Sequence, residues 1–77
     1  MNVGTLHYPV SPATLLSEIE KAAQRYHSEK GHAPNLCLVR QALLPKDVPD
    51  VVQTTLGKVT LRTHEGIIPD HLWIGEE

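Results

Sequence analysis

Ser11–His32, SPATLLSEIEKAAQRYHSEKGH, carries the strongest periodicity in the chain, and its reading decides the fold. Leu15, Ile19, Ala22, Ala23 and Tyr26 recur at i, i+4, i+7, i+8 and i+11, the spacing that lines one face of an α-helix, and Leu16 widens that face. Ser17, Glu18, Lys21, Gln24, Arg25 and Ser28 take the other side, with Glu18 and Lys21 three residues apart as a weak exposed pair. Ser11 is in place to cap the first turn, Pro12 suits the first helical position, and Val10 before them can pack back as a staple. Gly31 supplies a left-handed terminator and Pro34 prevents continuation.

Downstream, Asn35–Arg40 (NLCLVR) reads as a strand with apolar residues on both faces, Leu36 and Leu38 on one and Cys37 and Val39 on the other. Pro45–Leu56 reads as a second helix: Asp47 is a candidate cap, Pro49 lies in the first turn, and Gly57 terminates it. Its β-branched Val48, Val51, Val52 and Thr55 lower its propensity, so tertiary packing must hold it. Lys58–Thr63 (KVTLRT) alternates as a strand with one wet face, Val59 and Leu61 inward. His64–Gly66 and Pro69–Asp70 read as turns, and His71–Ile74 as a last strand. Upstream, Met1–Val10 reads as an extended arm, since Pro9 withholds an amide where a strand would continue.

These elements predict a single small α+β domain over residues 1–77, in the order α-β-α-β-β. Its sheet is three-stranded and mainly antiparallel, both helices lie on one face, and the final strand sits between the other two. Order 1-2-3 with a parallel first pair is the alternative.

Composition narrows the function classes. The 77 residues carry seven Lys and Arg against nine Asp and Glu, a net charge of −2. No basic run exceeds one residue, so a nucleic-acid partner is not expected. One cysteine excludes an internal disulfide and suits a reducing compartment. No signal peptide and no apolar run long enough for a membrane span is visible, so the expected location is cytoplasmic. No cofactor is expected.

Few residues offer chemistry. His27, His32 and Cys37 recur every five residues and form a zinc-competent donor set, but the spacing matches no standard finger and a fourth ligand is missing. A metal-binding or catalytic protein built on these three is the alternative function; Cys37 reads more simply as a small buried hydrophobe. As a nucleophile Cys37 would need an activating base such as His71. His64, Glu65, Asp70 and His71 gather acids and imidazoles around one connection, where exposed turns would leave them solvated.

Trp73 is the most informative side chain. It points away from Leu72 and Ile74, so if those face the helices, Trp73 faces the uncovered side of the sheet. Val39, Arg62, Cys37 and Thr60 are expected beside it. A contiguous apolar patch there would mark an interaction site, unless the N-terminal arm folds over it with Leu6 and Tyr8. The expected function is therefore a small protein-interaction module, not an enzyme, that binds a protein partner or a second copy through the open face or a strand edge.

Overall fold

The computed structural model describes residues 3–77. Seven elements follow in order: β1 (Val3–His7), α1 (Leu15–Lys30), β2 (Leu36–Val39), a 3-10 turn (Gln41–Leu43), β3 (Val51–Thr54), β4 (Gly57–Thr63) and β5 (Leu72–Glu76). The class is α+β as expected, with one long helix against a five-stranded mixed sheet of order β1-β5-β2-β4-β3. Among the described residues only β2 and β4 are parallel; every other pair is antiparallel.

The helix matches its periodicity. Leu15, Ile19, Ala22, Ala23 and Tyr26 are all buried, and Gly31 ends the helix in the left-handed region at φ 76°, its amide donating to the His27 carbonyl. The start differs from expectation. The Thr14 amide donates to the Ser11 carbonyl at 3.1 Å, closing a turn with Pro12 at its second position, and the two hydroxyls bond each other at 3.0 Å. Proline suits that turn position as well as the first helical one, and the helix begins three residues later, at Leu15. Leu16 stays half exposed instead of widening the buried face.

Three corrections concern the sheet. First, the arm is not loose chain: Val3–His7 forms β1, paired along its length with β5 from Val3↔Glu76 to His7↔Leu72. Pro9 falls beyond the last paired residue and so costs the ladder nothing.

Second, Pro45–Leu56 contains no helix. Val51–Thr54 alternates exposed and buried as β3 and turns through Thr55–Leu56 into β4, with Gly57 at φ 118°. The Thr54 hydroxyl, buried at this turn, donates to the Gly57 carbonyl at 2.7 Å and accepts from the Leu56 amide at 3.1 Å. The β-branched residues that weakened the helix suit a strand edge, and Gly57 opens a hairpin instead of closing a helix. Leu43, Leu44 and Val48 of the preceding loop pack on the same core as α1, in the place expected of a second helix.

Third, β5 is an inner strand, but its neighbours are β1 and β2; it does not pair with β4. Of the three strands expected from sequence, β2 is therefore the middle one, and it runs parallel to β4. With β5 inserted between β1 and β2, those two strands run in the same direction on either side of it, joined through α1 as a split β-α-β unit.

The flanks of α1 fasten it across the whole sheet. Glu18 accepts from the His7 Nε2 of β1 at 2.7 Å, and Glu20 reaches the opposite edge, accepting from the Thr55 hydroxyl at 2.6 Å and amide at 3.0 Å. Lys21, the expected partner of Glu18, lies 3.4 Å away. The fully buried Tyr26 donates to Glu76 of β5 at 2.7 Å. No helix among the described residues is long and apolar enough to cross a membrane.

Candidate functional site: the open face of the sheet

Strand alternation divides the side chains cleanly. Leu72 and Ile74 are fully buried toward α1, so Trp73 between them projects from the opposite face, as the sequence pattern predicts. The register then fixes its neighbours. Leu6 pairs with Trp73, Trp73 with Leu38, and Leu38 with Arg62, giving one row across four strands. The adjacent row runs Gly4, Gly75, Leu36, Thr60 and Val51 across all five. Leu6 is 45% exposed and Val51 46%, whereas Leu36 is buried.

The Trp73 indole lies against Gly4. A methyl group at position 4 would collide with two of its ring carbons and approach the Ile74 carbonyl oxygen to 2.8 Å. Two glycines, Gly4 and Gly75, thus sit side by side on this face, and the indole covers the first. An aromatic side chain laid over a cross-strand glycine replaces packing that the glycine cannot supply. At the polar end, Arg62 holds the Glu77 carboxylate at 3.1 Å, and the Glu77 amide donates to Asn35 Oδ1 at 2.8 Å.

Of the residues expected beside Trp73, Arg62 and Thr60 share its face. Cys37 and Val39 do not: they pair with Ile74 and Leu72, are fully buried, and belong to the core beneath α1. The strand NLCLVR is apolar on both sides, so its pattern leaves open which side meets the helix; pairing with β5 decides it. Leu38 and Leu36 take the expected places of Cys37 and Val39. Leu6 also joins the row, because the N-terminal segment extends the sheet sideways and does not fold over it. Leu6 and Tyr8 remain exposed.

The other candidate residues are separated or otherwise engaged. Cys37 is buried in the core while His27 and His32 are exposed, and no cluster of three metal-competent side chains occurs among the described residues. Burial pushes the Cys37 thiol up to about 12, the opposite of the lowered, accessible thiolate that nucleophilic cysteines need. Around the 64–71 connection, Arg40 donates to the Glu65 and Ile67 carbonyls at 2.9 and 3.1 Å, and the Gln41 amide donates to Glu65 Oε2 at 2.8 Å. His64 Nδ1 accepts from the Gly66 amide, and His71 Nδ1 lies 2.8 Å from the Pro69 carbonyl while its ring stacks on Tyr8 at 4.7 Å. These groups fasten the turns to β2 and to the end of β1.

A cleft of about 430 Å³ opens ahead of the start of β3, between Leu44, Val48 and Pro49 and Leu61–Thr63. Asp50 and Arg62 are its ionisable lining residues. A comparison with protein-family models, with curated proteins and with solved structures finds no match.

Proposed function

We propose that this chain is a small cytosolic protein-interaction module that docks an apolar surface of its partner on the open face of the sheet. The observation that carries this reading is the row Leu6–Trp73–Leu38 ending at Arg62, on the face opposite α1. An apolar strip with a tryptophan near its centre and an arginine at its rim has the composition of a binding hot spot, and such patches on small domains mark interaction sites. The single buried thiol suits a reducing compartment.

The test places a photo-crosslinking residue at Thr60, on the open face, and separately at Arg25, on the outer side of α1. Partner adducts are expected from Thr60 and not from Arg25. With the captured partner purified, Trp73→Ala should weaken binding by about 30-fold or more, the scale of a 2 kcal/mol hot spot. Adducts from Arg25 alone, or unchanged affinity in a Trp73→Ala chain with native far-UV dichroism, overturn the reading.

A further inference from the structure

We propose that two copies of this chain join through β1, edge to edge and antiparallel about a two-fold axis at Thr5, to make one continuous ten-stranded sheet. Among the described residues β1 is an outer strand whose sole neighbour is β5. Natural edge strands are usually blunted by brevity, by Lys or other charges, by proline or by a bulge. Val3–His7, VGTLH, has no Lys, Arg, Asp, Glu or Pro, and its five residues pair with β5 in unbroken register. The opposite edge is better protected: β3 is shorter, Pro49 precedes it, and Glu20 of α1 holds the turn at its end. The one ionisable side chain of β1, His7, is engaged by Glu18 on the helix side.

Self-complementarity identifies the partner as a second copy. Residues opposite each other in an antiparallel pair share a face, and the register that overlaps all five residues pairs Thr5 with itself and Gly4 with Leu6 of the mate. Leu6 is 45% exposed in the single chain. Gly4 is where the Trp73 indole lies across the sheet. In the dimer, each Leu6 therefore lands opposite a glycine whose place is filled by the mate's indole, and the contact repeats identically on the other side of the axis, as an isologous interface requires. The Leu6–Trp73–Leu38 row then continues into the mate's Gly4–Gly75–Leu36 row. Thr60 and Arg62 lie on the far side of each sheet from the seam, which separates this assembly from partner docking on the face.

Disulfide trapping tests the seam in the full chain. Directly opposed antiparallel residues have Cα atoms about 4.5–5.5 Å apart, within the roughly 4.4–6.8 Å that a disulfide spans, and the native Cys37 is buried. Thr5→Cys should oxidise to a covalent dimer, whereas Gln53→Cys, on β3, should not. Sedimentation equilibrium of the unaltered chain should show a concentration-dependent dimer, which Leu6→Lys weakens at least tenfold and Thr60→Lys leaves intact. A chain that stays monomeric into the millimolar range overturns the proposal. So does a crosslink at Gln53→Cys in place of Thr5→Cys, or equal loss from Thr60→Lys, which would indicate face-to-face packing or a different edge.

Discussion

Gly4→Ala probes the contact that shapes the open face. The glycine is not needed for a left-handed backbone; its φ lies outside that region. What requires it is the indole of Trp73, whose ring carbons and the neighbouring Ile74 carbonyl occupy the space a methyl would take. Overpacking of this kind costs about 1–3 kcal/mol, while replacing glycine at an unstrained position returns about 0.4–1 kcal/mol through the unfolded chain. The net destabilisation is up to about 2.6 kcal/mol, which lowers the Tm of a domain this size by up to roughly 20 °C. Urea unfolding followed by far-UV dichroism measures the loss, and the emission of the single tryptophan should move to the red as the ring is lifted into water. The same substitution made in a Trp73→Ala chain should cost clearly less, leaving only the approach to the Ile74 carbonyl oxygen, and the difference is the coupling that the double-mutant cycle reads. Equal costs in both backgrounds, or unchanged emission, would refute the indole as the cause.

Three further outcomes follow from the core and its fastenings. The hydrogen bond to Glu76, together with burial, raises the Tyr26 hydroxyl from about 10 to about 12; the folded state holds that proton where the unfolded chain has lost it, so stability should fall as pH rises from about 10 to about 12. Tyr26→Phe should remove that alkaline decline and cost about 1.5–3 kcal/mol at neutral pH, read by denaturant titration at several pH values. Glu18 is held below its ordinary value chiefly by the His7 hydrogen bond, with Lys21 assisting against partial desolvation. Its contribution is present above about pH 4.5 and lost as pH falls through the lowered folded value, so Glu18→Gln should flatten the acid limb of stability; an unchanged limb would show the bond to be energetically silent. Cys37 should react with a thiol reagent only as fast as the chain unfolds, with labelling accelerating across the denaturant transition, and rapid labelling under native conditions would contradict its burial.

Much of the local structure was readable because local chemistry suffices for it. The buried face of α1 follows from the spacing of Leu15, Ile19, Ala22, Ala23 and Tyr26, and its end from Gly31. β4 follows from the alternation of Val59 and Leu61. Trp73 on the open face follows from the alternation of Leu72 and Ile74 around it. The segment from Pro45 to Leu56 reads as a helix because valine and threonine at mixed spacing satisfy either period over so short a stretch, and the pairing of Val52 with Val59 across the hairpin, a tertiary contact, selects the strand.

The open-face positions of Trp73, Arg62 and Thr60 are legible in the sequence, and those of Leu6, Leu36 and Leu38 are not. No property of NLCLVR ranks its two apolar sides, and nothing in VGTLH reveals the strand it will meet. The carboxylates of Glu18 and Glu20 likewise look solvated on a helical wheel, yet they hold the two edges of the sheet.

The sequence by itself determined the class, the helix with its buried stripe, and the side of the sheet on which the tryptophan stands, because each depends on periods of 2 or 3.6 residues within one element. Only the tertiary structure decided the number and order of the strands, which side of β2 faces the helix, and that the N-terminal segment lies beside Trp73 as an open edge. Those outcomes depend on pairing between segments up to about seventy residues apart, where backbone hydrogen bonding is indifferent to side-chain identity and the choice falls to the packing of the whole core.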